Sequence, residues 1–270
     1  MSAIASELGF PQTAFIFPAD RPGAQARVRV FTPRAELPPA EHLTIAAVYA
    51  LGLEEKLMQD PERVVLEEQT GPVSVYFRAQ VITVKQPVPE FGGEFHEPNA
   101  LAAMLGLSVA DLHACPPQAV SAAGVRFLIV PIKDVLALGK ARFRPDIWER
   151  TVKQFEAPNV VAFALSAAPK CALKARVFLP SLGVFEDPAT EAASGPLVAY
   201  ALRHRLLTPP DQFVASVEQG TEIGRPSVIQ VFIDHAGGRV SEVRIGGQCQ
   251  LVGDGRVLTP LARCRPPDFQ

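Results

Sequence analysis

The sequence predicts a mixed α+β protein built from two similar halves, and three observations support this fold class. Short β-rich runs alternate with short helical runs along the 270 residues. Hydrophobic residues make up 48% of the chain and charged residues 20%, which is enough apolar side chain for a sizeable core and too little charge for wholesale disorder. A strand, loop and helix pattern also occurs twice. A chain of this length can form one large domain or two modest ones.

The repeated pattern starts with a strand of alternating residues. Residues 27–33 read Arg-Val-Arg-Val-Phe-Thr-Pro, and residues 175–180 read Ala-Arg-Val-Phe-Leu-Pro. A polar loop follows each strand, and an apolar helix is predicted after it, over 45–51 and 197–202. Because both helices are apolar nearly all the way round, each should be buried at the centre of its half. Free N–H groups at a helix N-terminus favour an anion, so the two polar loops are expected to meet in one cleft.

The remaining elements follow the same alternation. Further strands are predicted over 73–77, 81–84, 127–130 and 159–164, and a hairpin over 229–245 turns at Ala236-Gly237-Gly238. Two prolines and a glycine pair make 87–93 a predicted loop. Short helices are expected over 101–105 and after Ser108, which Asp111 would cap reciprocally.

Charge and cysteine usage exclude several classes of protein. The 26 lysines and arginines balance 28 aspartates and glutamates without long runs of either sign, so no nucleic-acid partner is expected. No apolar run is long enough to span a membrane and no signal peptide is evident, which predicts a soluble, cytoplasmic protein. The cysteines are far apart, and neither they nor the histidines show metal-ligand spacing, so reduced, buried thiols and no metal are expected. These cysteines are Cys115, Cys171, Cys249 and Cys264.

Five stretches spread over nearly all of the chain match the motifs of one family. They are 26–33, 37–44, 120–121 with 127–131, Glu186-Asp187-Pro188-Ala189-Thr190, and Glu218-Gln219-Gly220 with Gly224-Arg225-Pro226-Ser227. In this order and spacing they resemble the PhzF-like family, named for phenazine biosynthesis, which shares its fold with diaminopimelate epimerase. The resemblance implies two pseudo-symmetric halves, each a curved sheet around a central helix. It also implies cofactor-free proton transfer on a small carboxylate metabolite in a cleft between the halves, commonly within a homodimer.

The resemblance also implies three catalytic positions. The family's Gly-His-Pro-Thr histidine corresponds to His42, and the aspartate of Asp-Pro-Ala-Thr-Gly-Ser corresponds to Asp187. The family's acid/base glutamate, from Asn-Leu-Ser-Glu-Thr, corresponds to Gln12. A carboxylate can take a proton from carbon and return it, and a neutral amide cannot, although Gln12 can still orient a ligand. Without the resemblance, His42 would be interpreted as a capping or hydrogen-bonded loop residue and Asp187 as a helix N-cap.

The positions that hold the substrate carboxylate in the family also differ here. Glu41 stands at the first glycine of the motifs, Glu191 at the second, and Ala192 at the serine. Each acidic side chain would repel an anion by on the order of 4 kcal/mol at about 4 Å and an effective dielectric near 20. Two hypotheses follow. In the first, the protein is a PhzF-like isomerase or epimerase in which Glu41 or Glu191 replaces the acid/base. In the second, the fold is catalytically inactive and is kept for binding or dimerisation.

The sequence predicts a boundary between the two halves near Pro116-Pro117. The N-terminal half is predicted over 1–114, the C-terminal half over 115–257, and a tail over 258–270. Family members open with a strand and a Gly-Asn-Pro motif before the first helix, whereas Met1 falls near that helix. Roughly thirty residues of the usual first half, including its first strand, are therefore expected to be absent, which would leave an unpaired sheet edge.

Overall fold

Two helices of equal length, one in each half, are the central elements of the fold. The computed structural model describes residues 1–37, 40–54, 57, 62–69, 71–78, 81–122, 124–167, 172–237 and 239–257. In this part of the chain the helices are α1 (Ser2–Leu8), α2 (Glu41–Leu53), α3 (Pro98–Met104), α4 (Val135–Lys140), α5 (Pro145–Arg150) and α6 (Glu191–Arg203). The predicted tail over 258–270, Cys171 and Cys264 lie outside the described residues.

The strands form one continuous sheet with the order β1-β2-β4-β5-β6-β15-β14-β13-β11-β10-β9-β8-β7, to which β3 and β12 add at β2 and β11. They are β1 (Thr13–Phe17), β2 (Ala26–Phe31), β3 (Glu36–Leu37), β4 (Arg63–Glu68), β5 (Gly71–Arg78), β6 (Val81–Gln86), β7 (Glu90–Glu94), β8 (Gln118–Ala122), β9 (Val125–Pro131), β10 (Asn159–Leu165), β11 (Leu173–Leu179), β12 (Val184–Asp187), β13 (Gln212–Gln219), β14 (Ser227–Ala236) and β15 (Arg239–Gly247).

The two halves have the same topology. Strand β2 lies between antiparallel β1 and parallel β4, and strand β11 lies between antiparallel β10 and parallel β13. An antiparallel run then follows in each half, through β4, β5 and β6 or through β13, β14 and β15. The repeated stretches 27–33 and 175–180 lie on the equivalent strands β2 and β11. The predicted α+β class, with two pseudo-symmetric halves around central helices, is confirmed.

The halves meet where β6 pairs antiparallel with β15. Gln86 is opposite Val243 in this pairing, and Thr83 is opposite Gly246. A Cβ atom added to Gly246 would lie 2.5 Å from the carbonyl oxygen of Ile82 and 2.6 Å from the methyl group of Thr83. The two half-sheets can therefore approach this closely because residue 246 has no side chain.

The two central helices, α2 and α6, are buried to different extents. Residues Ala193 to Leu202 of α6 are all buried, and this helix packs with β13, β14 and β15 in the largest core cluster. Helix α2 buries Ile45, Val48 and Leu51 against β2, β4 and β5, whereas Leu53 is half exposed. The expectation of a fully surrounded helix thus holds for α6, while α2 keeps one exposed side.

A third core cluster packs α3 and the segment 135–155 against the other face of β9 and β10. Strand β7 belongs to this side as well, because it pairs with β8. Residues 90–104 therefore pack with the C-terminal elements. The division between 114 and 115 stays a prediction, since the sheet runs through both parts without a break.

The prediction of a loop over 87–93 is wrong for residues 90–93, which lie in a strand. Residues 90–94 form β7, in which Glu90 pairs with Ser121 and Phe91 with Val120. The glycine pair lies in a register shift between Phe91 and Glu94. The glycines thus produce a bulge within the strand rather than end it, and the prolines lie before the strand begins.

Other local predictions have mixed outcomes. Ser108 and Asp111 form the expected reciprocal cap, with the Asp111 carboxylate accepting from both the hydroxyl and the backbone N–H of Ser108. Cys115 and Cys249 are free thiols, but they are half-buried rather than buried. Within the described ranges, no helix is long and apolar enough to cross a membrane.

The turn between β13 and β14 depends on Gly220, which has φ 82°. A Cβ atom there would collide with the carbonyl oxygen of Arg225 and would lie 2.7 Å from that of Pro188. We expect Gly220→Ala to lower the free energy of unfolding by about 2 to 4 kcal/mol, from left-handed backbone strain plus the collision. Urea unfolding monitored by circular dichroism measures this loss.

Gly224 provides the matched control, because it has φ 72° but nothing within 4 Å of an added Cβ atom. Gly224→Ala should cost only about 1 kcal/mol, from backbone strain alone. Equal losses for the two variants would show that the close approach at Gly220 contributes nothing.

Candidate active site

The N-termini of the two central helices meet between the halves. Glu41 is the first residue of α2 and Glu191 is the first residue of α6, and neither helix has a side-chain cap. The Nδ1 atom of His42 lies 3.4 Å from Oε2 of Glu191. The two polar loops therefore converge as the repeated sequence pattern predicts, although they are far apart in the chain.

His42 is held between two hydrogen-bond acceptors. Its Nε2 atom lies 2.7 Å from the amide oxygen of Gln12, and its Nδ1 atom faces the Glu191 carboxylate. Both ring nitrogens can donate at once only in the imidazolium form. The hydrogen bond to Glu191 is accordingly the main cause that raises the pKa of His42, and the charges of Glu191, Glu41 and Asp187 add to it against the opposing effect of burial.

Asp187 lies at the end of β12, just before α6. Burial raises the pKa of its carboxyl group, and the nearby Glu191 charge raises it further, while the Thr190 hydroxyl donates to Oδ2 at 2.5 Å and opposes the shift. The N-cap residue of α6 is Thr190. Asp187 is therefore not the N-cap, and its carboxylate is close enough to His42 for their charges to affect each other's pKa.

Gln219 fixes the loop that carries Asp187. Its side chain is 1% exposed, and its amide nitrogen donates to the Asp187 carbonyl at 2.5 Å and to the Thr190 hydroxyl at 3.0 Å. Its amide oxygen accepts from the Thr190 N–H at 3.2 Å. The Glu-Gln-Gly motif of the sequence thus supports the loop through Gln219, and Gly220 makes room for the same loop at Pro188.

Glu41 belongs to a second, more buried group. Gln86, which is 2% exposed, donates its amide N–H groups to the Glu41 carboxylate at 2.9 Å and to the Glu191 carbonyl at 3.2 Å. Behind Glu41, the Thr44 hydroxyl donates to Glu68 at 2.6 Å. Burial raises the pKa of Glu68, and the Glu41 charge raises it further. Gln86 therefore joins the first turns of both helices.

The structure brings Gln12, His42, Glu41, Asp187 and Glu191 together, and their roles stay predictions. Ala192 packs against the core cluster around α6 and has no polar group to offer, unlike the serine of the family motif. In the described part of the chain, no group of three or more His, Cys, Asp or Glu residues could hold a metal ion.

Two polar residues of this region were missed by the sequence reasoning. Gln86 follows a predicted strand and Glu68 lies in β4, and nothing in the local pattern distinguishes either residue. Their partners lie 45 and 105 residues away for Gln86 and 24 residues away for Glu68. Thr190 and Gln219 lie inside the motifs that resemble the family, and those motifs are the sequence signal for them.

His42 should titrate above its ordinary pKa of about 6.5, because the folded state stabilises the imidazolium form. We expect Glu191→Gln to lower this pKa markedly, and Glu41→Gln to lower it less, because Glu41 acts only through its charge. A pH titration of the His42 ring by NMR, assigned with His42→Asn, measures both shifts. A larger decrease in the Glu41 variant would contradict the pairing with Glu191.

The raised pKa of His42 determines how the stability of the fold changes with pH. His42 stabilises the fold fully below its unfolded pKa of about 6.5, and this contribution is lost as the pH rises through the folded pKa. Because the side chain is 44% exposed, solvent screening keeps the contribution small.

Comparisons with known proteins identify the family of this chain. Residues 1–255 match the family described as phenazine biosynthesis-like protein, PhzC-PhzF. The chain is 33% identical over 261 residues to the trans-2,3-dihydro-3-hydroxyanthranilate isomerase of Pseudomonas aeruginosa. The aligned region covers 95% of this chain and 87% of that protein.

Solved structures give the same result. A PhzF-family phenazine biosynthesis protein of Bacillus anthracis superposes with a TM-score of 0.79 at 25% identity, covering 92% of this chain and 85% of that chain. A predicted epimerase from Pseudomonas aeruginosa superposes with a TM-score of 0.70 at 29% identity, covering 96% and 88%. These relatives support an isomerase-type function, and the match over nearly the whole length shows that this chain belongs to the PhzC-PhzF family of phenazine biosynthesis-like proteins.

Proposed function

We propose that this protein is a cofactor-independent isomerase or epimerase that moves a proton on a small carboxylate metabolite. The observation that carries the proposal is the convergence of His42, Glu191 and Asp187 between the two helix N-termini. These residues supply a proton donor and a proton acceptor in one place, although the family's acid/base position is Gln12.

Asp187 is the proposed base. Its raised pKa makes its carboxylate a stronger proton acceptor than an ordinary aspartate, and its loop is fixed by Gln219. His42, as the imidazolium, is the proposed acid. Asp187 takes a proton from one carbon of the substrate and the electron pair shifts. The substrate displaces the Gln12 amide oxygen from Nε2 of His42, and this nitrogen returns a proton to a second carbon. Transfer of the proton from Asp187 to the imidazole then restores both groups.

Glu191 is the acidic replacement that serves this chemistry. It lies against His42 and stabilises the imidazolium, whereas the Glu41 carboxylate is held by Gln86. The sequence offered two glutamates as replacements for the family's acid/base. Of these two, Glu191 contacts His42, and it acts by stabilising the imidazolium form of His42.

A carboxylate substrate can bind here because the two glutamates are paired. The His42 imidazolium balances Glu191, and the amide of Gln86 donates to Glu41. The uncapped N-termini of α2 and α6 offer backbone N–H groups to an anion. Arg225 adds a positive charge close enough to Asp187 to oppose the rise of its pKa. The repulsion expected from the sequence is thereby reduced.

The first test is deuterium incorporation. We expect incubation in heavy water with trans-2,3-dihydro-3-hydroxyanthranilate, or with a panel of small hydroxy and amino carboxylates, to give carbon-bound deuterium by NMR or mass spectrometry. Asp187→Asn should lower the rate by about 100- to 10,000-fold, because it removes the base. Asp146→Asn, which changes a half-exposed side chain on α5, is the matched control and should leave the rate unchanged.

The pH dependence tests the assignment of base and acid. The profile of kcat/KM should rise with ionisation of Asp187, above the ordinary aspartate pKa near 4, and fall with deprotonation of His42, above about 6.5. Glu191→Gln should move the alkaline limb to lower pH. An alkaline limb that stays in place would remove His42 and Glu191 from the acid role.

A second candidate function is a catalytically inactive PhzF fold kept for binding or for homodimer formation. Gln12 favours it, because the amide at the family's acid/base position cannot transfer a proton and its oxygen is already paired with His42 at 2.7 Å. This function requires the same fold but no turnover.

Restoring the family residues separates the two candidates. If the fold is inactive only because the acid/base is lost, Gln12→Glu with Ala192→Ser should create deuterium incorporation where the natural sequence shows none. If Asp187 and His42 are the working pair, the natural sequence is active and the double variant keeps Asp187-dependent activity. Single variants at each position identify which change matters.

A further inference from the structure

A cavity of about 600 Å³ lies at the end of α6 that is opposite Glu191. The helix rise over these 13 residues places it about 18 Å from the candidate active site. Its walls come from the 87–89 connection, β7, the end of α6 with the following loop, and the hairpin of β14 and β15. The apolar part of the wall includes Val88, Phe91, Leu202, Leu207 and Val240.

The polar part of this wall is cationic. Arg203, Arg205 and Arg239 line the cavity, and its described lining contains no aspartate or glutamate. Arg203 lies over the Phe91 ring, with its guanidinium carbon 4.4 Å from the ring centre. In the described ranges, none of the three arginines has an ion-pair partner. Three exposed arginines therefore line one cavity that has an apolar wall.

The backbone of Arg205 gives a second, independent observation. Arg205 has φ 56°, and it is the one residue other than glycine with a positive φ among the described residues. Glycine is the usual residue at this point after a helix, because it adopts the left-handed conformation without strain. Strained residues of this kind concentrate where ligands bind. The chain thus accepts backbone strain at a residue that lines the cavity.

A structural role explains only part of the cluster. Arginines at a helix C-terminus interact favourably with the helix dipole, which accounts for Arg203 and Arg205. Arg239 begins strand β15 instead, so the dipole gives no reason for its place in the same wall. The shared feature of the three side chains is the cavity itself.

We propose that this cavity binds a small organic anion with an apolar body and one phosphate or carboxylate group. The arginines pair with the anionic group, for which guanidinium geometry is well suited, and the apolar wall buries the body of the ligand. The inference is independent of the proposed isomerase function, because it uses no residue of the His42 and Asp187 region.

The test uses isothermal titration calorimetry with four probes. Phenyl phosphate and benzoate carry both features, inorganic phosphate carries only the charge, and benzyl alcohol carries only the ring. We expect saturable binding at one site for phenyl phosphate or benzoate, and at least about 10-fold weaker binding for the other two probes. The stronger of the two aromatic anions identifies the anionic group. Absence of binding by both overturns the proposal.

Variants locate the binding. Arg239→Gln and Arg205→Gly should each weaken binding by about 10-fold, through loss of a charge-assisted hydrogen bond. Arg205→Gly should also leave the Tm unchanged or raise it, because glycine relieves the strain, and this separates lost binding from lost folding. Arg150→Gln is the matched control, since that side chain is 76% exposed on α5. It should bind as the natural sequence does.

Binding at the candidate active site must be distinguished as well. Asp187→Asn should leave the affinity for the aromatic anions unchanged. Affinity that changes with Asp187→Asn but not with Arg239→Gln or Arg205→Gly would place the probe in the cleft and overturn the inference.

Discussion

The antiparallel pairing of β6 with β15 is the contact on which the rest of the structure depends. It joins the two half-sheets, and it places α2 and α6 so that their first turns meet. Gln86 is paired with Val243 at this junction and reaches both helices with one side-chain amide. A change that separates these strands therefore removes the fold's symmetry and the candidate site together.

The site is a balance of charges around two helix N-termini. Glu41 and Glu191 replace residues that are small in the family motifs, and each occupies the first turn of a helix, where the dipole favours a negative charge. Each also has a dedicated partner, Gln86 for Glu41 and His42 for Glu191. The acidic replacements thus form part of an ordered polar network and are not solvated side chains at its edge.

Local sequence patterns predicted the elements whose formation depends on neighbouring residues in the chain. The apolar runs in 45–51 and 197–202 located the central helices, and the motifs located His42 and Asp187. The pattern failed at 90–94, because a glycine pair can produce a bulge as readily as a loop. Gln86 had no signal, because its function in the network comes from partners far away in the chain and from a junction between strands that composition cannot show.

The distance along the chain between the two halves of the site also has a consequence for synthesis. His42 and Glu191 are 149 residues apart. At ordinary translation rates, α2 emerges from the ribosome roughly 8 to 30 seconds before its counterpart α6. During that interval the edge of β6 that pairs with β15 in the folded protein has no partner, which makes the nascent N-terminal half a natural client for chaperones.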